Sequence, residues 1–305
     1  MPRLEATAAH YIKLGEGGKW EEEALHDGVL RFSYRTVPHD ACVAGNWDVV
    51  RAALMAEPGA DPGAVQRHLI QVQTFYTAPE TDIFITFHHR RMYWCRPEGA
   101  VELLADGTKR RGTVDGWRGD SVGGQPLIPE RLSGQLQAVQ MFRGTICTVA
   151  AKEYLLKKLG DEVLAQVQVA ERAEEALLRA QIDLITLLTW QDFETLVELV
   201  FSGSGWRRTS TTGGAQKTVD LELVLPSTGD RAFVQVKSRA TAKTFQDYVD
   251  RLAGMPDISR MFFVWHTGGI GAEPIPATVT PIGPERLAQM VLDAGLTKWL
   301  REKVS

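Results

Sequence analysis

Cysteine is scarce: Cys42, Cys95 and Cys147 are the only three among 305 residues, and no two form a C-x-x-C pair. That spacing excludes a disulfide framework and a thiolate zinc site, and it fits a reducing cytoplasm. Long apolar runs are missing as well. The N-terminus has no uninterrupted hydrophobic segment of the secretory kind, and no stretch approaches the roughly 20 apolar residues of a membrane helix. A cytoplasmic protein, with no membrane as partner, is expected. Positive charge is not in excess, since 34 Lys and Arg face 38 Asp and Glu for a net charge of -4. Contact with nucleic acid must therefore come from local basic clusters. Only seven histidines occur, widely scattered, which argues against a histidine or zinc mechanism. The glycine runs Gly15-Glu16-Gly17-Gly18 and Gly268-Gly269-Ile270-Gly271 lack the lysine and hydroxyl of a phosphate loop. They read as turns, with no nucleotide cofactor.

What is present is an ordinary globular composition, 44% hydrophobic and 24% charged, in a chain long enough for two cores. Residues 1–150 alternate short β-rich runs with Gly, Pro and Asp punctuation. Strands are expected at 29–34, 81–87, 91–96 and 144–149, and helices at 46–56 and 62–77, giving an α+β domain whose strands could close into a small barrel. Residues 151–188 turn rich in Ala, Leu, Glu and Arg without proline, which predicts a helical linker. Residues 189–305 alternate helix 190–201, strands 218–225 and 231–237, helix 241–252, strand 259–265 and a final helix 284–303. That order predicts an α/β domain around a central sheet.

Chemistry concentrates in the C-terminal domain. Acidic and apolar residues alternate in Val219-Asp220-Leu221-Glu222-Leu223, so Asp220 and Glu222 share one face of a strand. In Phe233-Val234-Gln235-Val236-Lys237-Ser238 the same alternation puts Gln235 and Lys237 together. A hairpin can then bring Asp220 beside Gln235 and Lys237. A carboxylate with an amide or backbone carbonyl suits a hard cation, and a neighbouring lysine can orient water and offset charge on a phosphate. Such a set fits phosphodiester hydrolysis. Whether Glu222 joins it stays open.

The run Asp192-Phe193-Glu194-Thr195-Leu196-Val197, a turn through Gly203 and Gly205 to Trp206, Gly213-Gly214 ahead of Val219-Asp220, and Gln235-Val236-Lys237-Ser238 resemble the Mrr-like branch of the PD-(D/E)xK nucleases. The likeness spans residues 190–267, about a quarter of the chain. It implies a restriction-endonuclease-like fold with a central mixed sheet, and a catalytic set of Glu194, Asp220, Gln235 and Lys237. It also implies Mg²⁺ or Mn²⁺ on Asp220, Gln235 and the Val236 backbone carbonyl, with Glu194 reaching the metal through water. The sequence departs from the pattern in the spacer Ala215-Gln216-Lys217-Thr218, which separates the paired glycines from Val219-Asp220.

The first domain is rich in aromatic planes, among them Trp20, Trp47, Tyr93, Trp94 and Trp117, with Arg90, Arg91, Arg110 and Arg111 close to some of them in sequence. Arginine beside aromatics suits stacking and phosphate contact, while core packing and a solvated charge run are the plain alternatives. Strand texture there is loosely similar to PUA-like and EVE-like modules, which implies a reader of modified bases joined to a nuclease, in the manner of type IV-like restriction or phage defence. DNA is the expected partner, with RNA left open, and a homodimer would let two sites cut two strands. Two rival readings remain: a nuclease released by a nucleotide signal, and an inactive nucleic-acid-binding module.

Overall fold

The computed structural model describes residues 3–209, 220–255, 257–272 and 274–305. The chain forms two compact units, Met1–Val163 and Leu164–Ser305.

The first unit runs β1 (Ala9–Ile12), α1 (Glu21–Asp27), β2 (Val29–Phe32), α2 (His39–Val43), α3 (Trp47–Met55), α4 (Pro62–Thr77), β3 (Ile83–His88), β4 (Arg91–Leu103), β5 (Lys109–Arg118), α5 (Gly134–Gln137), β6 (Ile146–Thr148) and α6 (Lys152–Leu159). Helix α4 starts where its sequence dictates, with Pro62 in the first turn and the Asp61 carboxylate accepting the Ala64 N–H at 2.8 Å. Six strands form one mixed sheet in the order β2-β5-β4-β3-β1-β6, with β1 and β3 parallel and the other pairs antiparallel.

The expected small barrel is not what forms: among the described residues β2 and β6 are open edges, and the sheet does not close. The reason is visible in β3. Phe84 packs with Phe75 and Leu69 on one face, and Ile83 and Ile85 pack with Leu136, Leu155 and Leu159 on the other. A strand apolar on both faces suits a sheet covered on both sides. Strand β5 was not expected, because Lys109-Arg110-Arg111 reads as a phosphate contact or a solvated charge run. Lys109 and Arg111 instead turn inward, where backbone carbonyls receive them.

The second unit runs α7 (Ala165–Thr186), α8 (Trp190–Gly203), β7 (Arg207–Arg208), β8 (Leu221–Leu225), β9 (Asp230–Ala240), α9 (Ala242–Leu252), β10 (Arg260–Gly268), β11 (Val279–Ile282), α10 (Pro284–Asp293) and α11 (Thr297–Val304). Its sheet has the order β11-β10-β9-β8-β7, parallel from β9 to β11 and antiparallel from β9 to β7. Leu221, Leu223, Val234, Val236 and Val264 pack with Phe193, Val197 and Val291 on one face. Phe233, Met261, Phe263 and Trp265 pack with Phe245 of α9 on the other. The single final helix expected over 284–303 is broken into α10 and α11, because Gly295 takes a left-handed conformation with φ of 70°. Of the segment read as a linker, α6 buries Leu155 and Leu159 in the first unit, while α7 packs Leu178, Ile182 and Ile185 in the second. Among the described residues no helix is long and apolar enough to cross a membrane.

Candidate active site

A four-residue turn sets the site. Gly229, at φ of 78°, donates its N–H to the Leu225 carbonyl at 2.8 Å and closes the β8–β9 hairpin. The resulting register pairs Leu221 with Val234 and Leu223 with Ala232. Because Leu221 and Leu223 enter the core, Asp220 and Glu222 lie on the opposite face, where alternation along β9 also places Gln235 and Lys237.

The Asp220 carboxylate is held there by two donors. Gln235 Nε2 and the Val236 N–H both donate to Oδ2, the latter at 2.7 Å. In an extended strand the N–H and C=O of one residue point the same way, so the Val236 carbonyl also lies toward Asp220. Gln235 is 1% exposed, yet among the described residues its Oε1 has no hydrogen-bond partner. A buried acceptor without a partner costs about 1–3 kcal/mol, and an oxygen at that place could accept from water or hold a cation.

Glu194 arrives from α8. Thr189 caps that helix by accepting the Asp192 N–H at 3.2 Å, and Phe193, Leu196 and Val197 anchor it to the sheet. Glu194, between Phe193 and the exposed Thr195, is left half-buried at the core margin. Burial pushes its carboxyl above the usual range, the Asp220 charge pushes it further, and Lys237 and Arg208 oppose the shift. Asp220 is likewise raised by burial, against the Val236 N–H, Lys237 and Gln235. Two carboxylates raised by burial, one of them also by the other, form a site that would gain from a cation.

The donors fit a hard divalent ion: one carboxylate fixed in place, the unpartnered Gln235 Oε1, and the Val236 carbonyl, all oxygens. Among the described residues no three His, Cys, Asp or Glu side chains cluster as a metal site, so amide and backbone oxygens would complete the ligand set. Glu222 instead faces Arg231, 4.0 Å away. Lys237 is half-buried and makes no hydrogen bond or ion pair among the described residues, and its Nζ sits 5.3 Å from the centre of the Tyr248 ring.

Residues 185–269 match the Mrr_cat restriction endonuclease family. The matched stretch runs from the end of α7 to the end of β10 and contains Glu194, Asp220, Gln235 and Lys237, so the second unit carries an Mrr-like restriction-endonuclease domain. No curated protein and no solved structure matches the chain. Within the Mrr-like domain, the paired glycines Gly213-Gly214 and the spacer 215–218 lie outside the described residues, as does Val219.

One residue beside the Mrr-like site has no place in the sequence pattern. Tyr248 lies on α9, and the helical spacing of Phe245 and Tyr248 was the available signal. His266 lies on the Phe193 face of the sheet instead, edge-on to that ring with centres 4.7 Å apart; among the described residues its Nε2 has no partner, and burial lowers its pKa.

The aromatic and basic residues expected at a nucleic-acid contact in the first unit are buried, half-buried or paired. Trp20 and Trp94 are buried, and Trp94 donates to the Asp120 carbonyl at 2.9 Å. Trp47 and Trp117 are half-buried against the core, and Tyr93 is half-buried on β4. Arg90 pairs with Glu130, Arg91 with Asp120 at 2.7 Å and Arg110 with Glu102 at 2.8 Å. Arg111 is buried and donates to the carbonyls of Gly99 and Ala78 at 3.0 and 2.8 Å.

Proposed function

We propose that the Mrr-like domain is a divalent-metal-dependent endonuclease that hydrolyses DNA phosphodiester bonds. The observation that carries this reading is the carboxylate of Asp220, fixed by Gln235 and Val236 on the same strand face as Lys237, beside a buried oxygen with no partner among the described residues. Asp220, Gln235 Oε1 and the Val236 carbonyl would hold Mg²⁺ or Mn²⁺, with Glu194 reaching it through water. A bound ion would supply a Lewis acid that lowers the pKa of its water and offsets phosphate charge. Lys237 would orient the attacking water and stabilise the negative charge that builds on the scissile phosphate.

We further propose that the first unit selects the substrate, which makes the protein a modification-dependent, type IV-like restriction or defence enzyme. The support is architectural: the unit has its own sheet and cores, and Tyr93 and Trp117 retain partial exposure. The three cysteines are free thiols, in keeping with a cytoplasmic setting. A homodimer would place two such sites on the two strands.

The test is cleavage of supercoiled DNA, modified and unmodified, across a Mg²⁺ or Mn²⁺ titration. Asp220→Ala and Lys237→Ala are expected to lose cleavage while binding DNA. Metal-dependent cleavage retained by both purified variants would sink the site assignment.

A further inference from the structure

Lys237 presents a problem of positioning. A lysine side chain is among the most costly in entropy to hold still, and this one has no hydrogen-bond acceptor among the described residues. Attraction to Glu194 and Asp220 is present but is not directional. Among the described residues its one directed contact is the Tyr248 ring, with Nζ 5.3 Å from its centre. Tyr248 is itself fixed, half-buried in the α9 face of the sheet and 6.1 Å from the Phe263 ring.

The same ring receives a second cation. The Arg251 guanidinium lies 4.7 Å from its centre. Asp247 stands one turn earlier on α9, the spacing at which an ion pair would form, yet Arg251 makes none among the described residues and stays exposed. One aromatic ring therefore contacts a half-buried lysine of the proposed site and an exposed arginine whose donors meet no acceptor among the described residues. Guanidinium over an aromatic face keeps its N–H edge free for phosphate oxygens.

We propose that Tyr248 is a positioning residue that holds Lys237 toward the scissile phosphate, and that Arg251, carried on the same ring, binds a neighbouring backbone phosphate of the DNA. This rests on the endonuclease reading given above. The ring face, rather than the hydroxyl, supplies the contact.

The experiment compares full-length wild type, Y248F, Y248L and R251Q, with K237A as reference. Cleavage rates, DNA affinity against salt, and the ε-methylene proton shifts of Lys237 are measured by kinetics, binding titration and NMR. Y248F, which keeps the ring, is expected to cleave within about threefold of wild type. Y248L is expected to lose kcat by about tenfold or more with KM little changed, the value of a misplaced group at a reacting centre. R251Q should weaken DNA binding about threefold to tenfold and reduce the salt slope by about one. An upfield ring-current shift of the Lys237 methylene, kept in Y248F and lost in Y248L, reports the contact without cleavage. Loss in Y248F equal to that in Y248L would overturn the ring as the cause, as would an unshifted Lys237 methylene in wild type. Unchanged affinity and salt slope in R251Q would overturn the phosphate contact. If wild type and K237A behave alike in cleavage while the ring-current shift is present, it is the endonuclease reading that fails and not the contact.

Discussion

Lys109 and Lys237 both sit on strands and both leave bulk solvent, yet their surroundings are opposite. Lys109, in the first unit, is fully buried, and its Nζ donates to the carbonyls of Tyr34 and Val37, the latter at 3.0 Å. Lys237, in the second, is half-buried and donates to nothing among the described residues. Arg111 repeats the first pattern with two carbonyls under 3.1 Å, and Gln235 Oε1 repeats the second. Saturated polar groups contribute to holding the fold together, whereas Lys237 and Gln235 Oε1 retain capacity to bind, in keeping with the function proposed above.

The largest effect that sharpens this contrast is on catalysis. K237A is expected to lower cleavage by about 10³-fold or more with its melting temperature unchanged, as read by rate assays beside calorimetry. K109M should do the reverse. Leaving the Tyr34 and Val37 carbonyls unpaired is worth about 2 kcal/mol of stability, measured by denaturant unfolding, and a K109M protein as stable as wild type would break the comparison.

A smaller effect concerns pH. The native pKa of Asp220 is raised, mainly by burial, so the folded state binds that proton more tightly than the unfolded chain. Stability from this group is therefore present at low pH and is lost as pH rises through the native pKa. At neutral pH D220N should raise stability, by no more than about 1 kcal/mol once solvent screening is allowed for. A bound cation would favour the ionised carboxylate, so D220N should weaken the stabilisation that added Mg²⁺ gives wild type, as read by thermal melts across a Mg²⁺ titration. Equal stabilisation of D220N and wild type by Mg²⁺ would contradict it. The smallest effect belongs to the exposed pairs: R90Q and R110Q should shift stability by less than about 0.5 kcal/mol. A drop in DNA affinity in either variant, with stability unchanged, would move that arginine from the structural group to the functional one.

The site was more legible in the sequence than the first unit was. Period-two alternation in 219–223 and 233–238 carries the face on which Asp220, Gln235 and Lys237 meet, and the buried leucines and valines between them enforce it. Tyr248 was not legible, since its contact with Lys237 depends on how α9 lies across the sheet, and that is a non-local outcome. Lys109 and Arg111 misled for a related reason: a charged residue has the same letter whether it faces water or backbone carbonyls. The barrel reading failed because short apolar runs do not disclose whether one face or both will be covered, as both are in β3. The break at Gly295 was missed because helical periodicity resumes on either side of it.

The β8–β9 register has one more consequence. The pairing that sets Asp220 opposite Gln235 is the same pairing that buries Leu221 and Leu223. A slip of β8 by one position would bring Asp220 onto the core face and expose both leucines. Folding errors that would misassemble the site are thus rejected by the hydrophobic core before any substrate arrives, so the packing acts as a proofreader for the chemistry.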